Sequence, residues 1–314
     1  MAYAQSITTE AVVSAGYSTD DVSAAAVQLR AFGDLKGGIR YFGEAAWAES
    51  SAADDDVFAA AYPYGNRVQV IEAYGERIFR PHDALVSVRA GRFRTPFGIY
   101  SASDQGYVGF LRPPLVRYAD YTSLSNADLE HGADFVVGVP RLTFEMALGA
   151  PADVGRTARG SGLDTVLHVQ GAHGPFIGGV SYLRNHSYES SPDQSFRASA
   201  VGIDFRWMQR GVQVRGEWIS GRPVFDATNK GWYVDSLIHL VGMGPVTAIG
   251  RIERLGIKDE DTEESTSYRQ TIGARVRFFK ALSLDVNLVH RAGKQLEEYR
   301  ATALDVGLTW PIRW

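Results

Sequence analysis

The residues best equipped for chemistry are charged, and they fall at alternate positions along the chain. Arg215 and Glu217, Arg251 and Glu253, and Arg275 and Arg277 each flank a single residue. Arg40, Glu44, Arg89, Glu145, Asp164, His168, Arg206, Asp285, Arg291 and Asp305 keep the same alternation within their own segments. Charges spread this widely build a field and hydrate a surface rather than form a bond-breaking centre. Enzyme signatures are missing from the sequence: there is no phosphate-binding glycine loop, no H-E-x-x-H and no G-x-S-x-G. The seven histidines are scattered, none at metal-ligand spacing, and cysteine is absent, which excludes thiol nucleophiles and cysteine-ligated zinc. The sequence therefore predicts no enzyme, no metal and no cofactor. Asn185-His186-Ser187 is a glycosylation sequon by form only.

The elements that must position these charges are strands. From Leu304 the even positions Leu304, Val306, Leu308, Trp310, Ile312 and Trp314 are apolar, against Asp305, Gly307, Thr309, Pro311 and Arg313. Leu282, Leu284, Val286 and Leu288 alternate with Ser283, Asp285, Asn287 and Val289. Ile272 to Phe278 and Leu142 to Leu148 repeat the period of two, which is that of a strand with two unlike faces. No segment shows a helical period. No apolar run approaches 18 residues, so helical membrane spans are excluded. At 45% hydrophobic and 11% aromatic the chain is too apolar for disorder, and a net charge of −4 gives no general attraction to nucleic acid.

Connections separate a barrel from a soluble sandwich. Short links fall near Lys280-Ala281, Gly244-Pro245, Met208 to Gly211, His173-Gly174, Pro140-Arg141, Arg80 to Asp83 and Asp34 to Lys36. Longer polar segments lie between them, at 18–21, 49–66, 95–131, 150–161, 186–195, 221–231, 257–266 and 293–297. Alternating turns and loops are the mark of an outer-membrane barrel, here a single domain over 1–314 with about sixteen strands and both termini at the turn end. Trp47, Trp218 and Trp232 fall where strands meet long loops, and Trp207, Trp310 and Trp314 fall at the turn end, as membrane-interface girdles require. Ala2-Tyr3-Ala4 before Gln5 has the small-x-small form of a signal-peptidase site, which points to a secreted chain.

With its aromatic C-terminus, Trp314, after alternating apolar residues, and its longest loop after the fifth strand, the chain resembles Gram-negative porins. Gly91-Arg92-Phe93-Arg94-Thr95-Pro96-Phe97-Gly98, then Tyr100 and Arg112-Pro113-Pro114, is similar to the fifth-strand exit of phosphate-selective and related porins. The resemblance implies a third loop, 95–131, folded into the lumen, a location in the bacterial outer membrane and a trimer. This loop holds Arg112 and Arg117 but no lysine, which argues against a dedicated phosphate trap.

So many inward charges imply a water-filled lumen, because a sealed core would make each one costly. The eight loops hold roughly 20 acids and 8 bases, and the strands and turns about 16 and 24, so a basic wall lies beneath an acidic mouth. In the general-porin arrangement, loop acids face wall arginines across an eyelet. The loop acids would be Asp104, Asp120, Asp128 and Glu130; the wall arginines would be Arg40, Arg89, Arg92, Arg94, Arg275, Arg277 and Arg291. Tyr100, Tyr107, Tyr118 and Tyr121 would anchor the loop or stack on sugars. A basic wall favours anions weakly; mixed signs would instead give a transverse field without selectivity. Asp54-Asp55-Asp56 and Lys258 to Glu264 either bridge divalent cations to lipopolysaccharide or are plain solvated loops. The expected function is passive diffusion of small hydrophilic solutes and ions. A non-conducting barrel, acting as a sheath or surface receptor, is the alternative.

Overall fold

The computed structural model describes the chain except residues 1–5, 36–37, 52–67, 100–108, 118–128, 152–162, 185–187, 192–193, 197, 225–226, 241–244, 260–262, 280 and 295–300. The strands are β1 (Ser6–Ser18), β2 (Val22–Leu35), β3 (Ile39–Ser50), β4 (Gln69–Phe79), β5 (Leu85–Arg94), β6 (Leu129–Val139), β7 (Leu142–Pro151), β8 (Asp164–His173) and β9 (Phe176–Arg184). They continue as β10 (Tyr188–Ser191), β11 (Gln194–Phe196), β12 (Ser199–Gln209), β13 (Val212–Val224), β14 (Ala227–His239), β15 (Val246–Asp259), β16 (Ser265–Phe278), β17 (Leu282–Gly293) and β18 (Thr302–Arg313). All but β10 and β11 form one closed antiparallel barrel of sixteen strands, each paired with its chain neighbour; β18 closes on β1 from Glu10↔Arg313 to Ser18↔Asp305. The pair β10–β11 is a separate hairpin between β9 and β12.

Alternation sorts the two faces as the sequence implies. On β16 and β17, Ile272 and Leu288 are exposed outside, whereas Arg269, Thr271, Arg275, Asp285 and Asn287 are buried inside. Short turns follow from local backbone chemistry. Arg210 and Gly211 both take positive φ, the type I′ pattern that matches strand twist, and Gly174 with positive φ before Pro175 suits a type II′ turn.

Two expectations about the connections change. The polar stretch 221–231 is mostly strand, with Val224 paired to Ala227, while β14 ends at His239 and β15 begins at Val246. Loop-end and turn-end connections still alternate in direction, but not strictly in length. The polar composition misled because strand ends that project past an apolar band read as loop. A bulge lies at Ile71, where the β3–β4 register shifts between Glu44 and Ala45; β5 pairs without a break across Gly91.

Candidate functional site: a loop docked inside the barrel

The connection from β5 to β6 enters the barrel, and its described parts are 95–99 and 109–117. Every residue from Gly109 to Arg117 is buried, and Leu115 to Arg117 form a short 3-10 turn. Two arginines anchor this segment. The Arg112 guanidinium donates to both carboxylate oxygens of Asp305 on β18 (2.6 and 2.9 Å), to Asp20 (2.9 Å) and to Ser18 (3.0 Å). Arg117 makes a two-pronged pair with Glu217 on β13 (2.7 and 3.0 Å), donates to the Phe97 carbonyl (2.7 Å) and lies over the Phe97 ring. Such fork-to-carboxylate contacts fix orientation as well as adding energy.

Backbone groups of the segment are met by the wall, as buried amides and carbonyls require. Leu115 N–H donates to Glu253 (2.6 Å) and Asn287 donates to the Gly109 carbonyl (3.0 Å). Arg251 donates to the Arg112 carbonyl (2.8 Å), and Arg269 makes a very short contact with the Pro113 carbonyl. At the other end of the segment, Gly98 N–H donates to Ser181 (2.9 Å) and Ile99 N–H to Glu217 (2.6 Å).

Beside the Arg117 anchor lies an apolar cluster that the expectation of a uniformly wet lumen did not contain. Phe93, Phe97, Leu115 and Val116 pack on Ala147, Val166, Leu183, Ala200, Ile219, Tyr233 and Leu255, one inward residue each from β7–β9 and β12–β15. Phe97 lies so close to Gly202 that a Cβ there would meet the ring at 2.6 Å. Inward positions at this level are therefore small or apolar to receive the loop. The one signal in the sequence was Phe110 to Arg117 (FLRPPLVR), an apolar run inside a polar loop.

The wall beyond the cluster is ion-paired. Arg94 pairs with Glu44 (2.9 Å) and Glu72 (3.3 Å), Arg30 with Glu44 (2.7 Å), and Arg89 with Asp134 (2.7 Å) and Glu145 (3.4 Å). Arg275 pairs with Asp285 (2.8 Å), Arg291 with Asp20 (2.6 Å), and Arg251 and Arg215 share Asp235. Exposure grades around the ring. The side chains of Arg112, Asp305, Arg117 and Glu217 are 0–5% exposed, whereas those of Arg94, Glu72, Arg89 and Glu145 are 13–21% exposed. Burial raises the Asp20 carboxyl pKa, but the hydrogen bonds and charges of Arg291 and Arg112 outweigh it and hold it below the usual range.

Of the residues expected at the eyelet, Arg89, Arg94, Arg275 and Arg291 are on the inner wall, each already paired. Three are not at the constriction. Arg40 and Arg277 are exposed at the turn end, the former loosely paired with Asp34 at 3.4 Å. Arg92 shares the face of exposed His131, opposite to Arg89 and Phe93, and donates to the Ile71 carbonyl. Glu130 is not a loop residue: β6 already begins at Leu129, and Glu130 is buried, accepting from Thr95 (3.2 Å). Asp104, Asp120, Asp128, Tyr100, Tyr107, Tyr118 and Tyr121 lie outside the described residues, as do Asp54 to Asp56. In the described part of the loop the expected polarity is reversed: loop arginines meet wall carboxylates. Missed altogether were Glu10, Arg30, Glu72, Asp134, Asp235 and Arg269, whose parity was available but whose partners are distant in sequence.

All six tryptophans take outward or end positions. Trp218 and Trp232 face each other across β13–β14 toward the loop end, as Trp47 does on β3, and Trp207, Trp310 and Trp314 mark the turn end.

A closed sixteen-stranded barrel with an apolar outside, a charged inside and a docked loop after its fifth strand has the fold of the outer-membrane porins. Among solved structures it is similar to an anion-selective porin from Comamonas acidovorans (TM-score 0.67, 13% identity, covering 98% of this chain and 100% of that one). It is also similar to Salmonella typhi OmpF in complex with daunomycin (TM-score 0.66, 12% identity, covering 98% and 97%). A third match is the trimer form of OmpT, an outer-membrane protein of Vibrio cholerae (TM-score 0.64, 9% identity, covering 99% of each chain). No protein-family model matches the sequence, and no curated protein matches it.

Proposed function

We propose that the protein is a porin of a bacterial outer membrane, passing small hydrophilic solutes and ions by diffusion, with a weak preference for anions. The observation that carries this reading is the gradient of exposure around the lumen. The loop is sealed onto β7–β9 and β12–β18, while the paired side chains of Glu72, Arg89, Arg94 and Glu145 on β4, β5 and β7 keep partial contact with water. Solutes pass along that hydrated side. Exposed Ile252, Ile272, Leu288 and Ile203 face lipid, and the tryptophans lie at the two interfaces. The pairing of inner charges serves hydration and shape rather than bond chemistry, which supports a channel over an enzyme.

Homo-oligomerisation, as a trimer, is supported by the outer face of β2–β5. Ala25, Ala31, Gly33, Gly43, Ala45, Ala73, Gly75 and Ala90 alternate outward there. A depression of ≈ 470 Å³ lined by Ile39, Gly75, Arg77, Phe79, Val88 and Ala90 lies on the same face. Small residues let a neighbouring wall approach closely where bulky ones would face lipid tails.

A plugged barrel is the second reading, favoured by the apolar cluster under the loop. Refolded protein in a planar bilayer separates the two. Discrete conductance steps support the porin; folded, heat-modifiable protein that gives no steps refutes it.

A further inference from the structure

The excess of positive charge is not at the constriction. Arginines on the inner wall are neutralised at contact distance, as Arg94, Arg89, Arg275, Arg251 and Arg269 show. A pair at that range leaves only a dipole, whose field fades quickly with distance. At the turn end the balance differs. Arg40, Arg206, Arg277 and Arg313 hold lumen parity on β3, β12, β16 and β18, and Arg80 and Arg141 continue the lumen parity of β4 and β7. Among the described residues no ion pair engages Arg80, Arg141, Arg206 or Arg277; the carboxylates beside the ring are Asp34 and Glu76, each cross-strand from Arg40, Glu10 opposite Arg313, Asp83 in the turn after Arg80, and Asp204 two residues before Arg206. Arg40 and Arg313 meet Asp34 and Glu10 at 3.4 and 3.3 Å with more than half of each arginine side chain exposed, so those pairs are screened and weak. Arg77, by contrast, has outward parity and lies over Phe79 at 5.1 Å, where it suits a lipid headgroup.

We propose that anion preference in this channel is set by that ring of six arginines around the turn-side mouth, and that its ligands are small anions entering from the turn side. The proposal rests on the porin reading above. Charged rings at a pore mouth raise the local concentration of counter-ions and so choose which sign enters. Sixteen strands at about 4.8 Å spacing and a tilt of about 40° give a wall on the order of 30 Å across. Long arginine side chains then bring the guanidinium groups to on the order of 10 Å from the axis. That distance matches the Debye length at 0.1 M salt, about 10 Å, and far exceeds the ~3 Å at 1 M. Selection by the ring must therefore fade with salt, whereas selection by a partly buried eyelet would persist.

The test is the reversal potential across a bilayer under potassium chloride gradients, at low and molar salt, with the dilute bath on either side of oriented channels. The expected wild type is anion-selective at 0.1 M, more so when the dilute bath meets the turn end, and nearly unselective at 1 M. The variant Arg80→Gln/Arg141→Gln/Arg206→Gln/Arg277→Gln loses most of the anion excess at 0.1 M, and each single substitution removes part of it. Arg94→Gln at the constriction moves the reversal potential less than the rim variant does. A rim series that keeps the wild-type reversal potential overturns the ring, as does a preference equal at both salts. Conducting wild-type channels with no anion-side reversal overturn the anion preference itself, and folded protein without conductance overturns the pore.

Discussion

Arg117→Ala should release the near end of the docked loop without opening the barrel wall. The side chain supplies two bonds to Glu217, one to the Phe97 carbonyl and a cation face for the Phe97 ring. Removing one partner of a buried pair costs about 3–5 kcal/mol, because the other charge is left without compensation. Water can reach part of this lumen, so the lower figure, about 3 kcal/mol, is the better expectation. At about 1.4 kcal/mol per tenfold, it shifts docked against undocked loop by roughly a hundredfold. The remaining anchors, Arg112 on Asp305 and the wall bonds to the Arg112, Pro113 and Gly109 carbonyls, hold the far end. The variant should show larger, noisier single-channel conductance and faster protease cleavage between 95 and 117, with barrel heat-modifiability retained. Glu217→Ala should do the same, and the double variant should cost less than the sum, since the two residues share one interaction. Conductance, noise and cleavage all at wild-type values in a folded Arg117→Ala protein would refute this account of docking.

Gly98→Ala should loosen the same end by another route. Gly98 has a φ of +65°, a backbone state costing roughly 1–2 kcal/mol for other residues, and an added Cβ would meet Arg117 at 2.6 Å; channel noise is the measure. Phe97→Ala removes a buried ring from the inner cluster, a change of about 3–5 kcal/mol, and should raise protease cleavage of the loop more than Arg94→Gln does. The Arg112 latch should be acid-resistant. Asp20 has a folded pKa depressed by Arg291 and Arg112, so its stabilisation is complete above the ordinary carboxylate value of about 3.9 and is lost only as pH falls through the lower folded value. Channels should therefore stay quiet from neutral pH to about pH 4 and become noisy only below it; Asp20→Asn should be noisy at neutral pH.

The fold was legible because each strand repeats one unlike-faced pattern. Leu282 to Val289 and Leu304 to Trp314 state their own faces, and register with a neighbour adds nothing to that statement. Loop boundaries were less legible, since residues such as Arg222 and Lys230 are polar whether they end a long strand or begin a loop. The site was legible by parity alone. Alternation placed Arg275, Arg251 and Asp305 inside, but which carboxylate meets which guanidinium depends on shear around the closed wall and on the loop. Arg112 and Asp305 are 193 residues apart, and no local pattern links them.

The docked loop also explains why the inner charges are paired as they are. A bare basic wall would repel itself and would attract loop acids; here the loop brings its own arginines, and the wall opposite carries Asp305, Asp20 and Glu217 to receive them. Each arginine anchor of the loop thus consumes carboxylates that would otherwise face the lumen. Wall arginines elsewhere hold acids of their own, so the constriction ends near electrical balance whatever the composition of the strands. A strand-by-strand count of charge could not reveal this, because it adds Arg94 and Arg80 as equals. One sits 2.9 Å from Glu44, and the other stands on the rim with no ion pair among the described residues. Selectivity should follow the charge that remains unpaired, and among the described residues the lumen-parity arginines without an ion pair, Arg80, Arg141, Arg206 and Arg277, lie at the turn-side mouth.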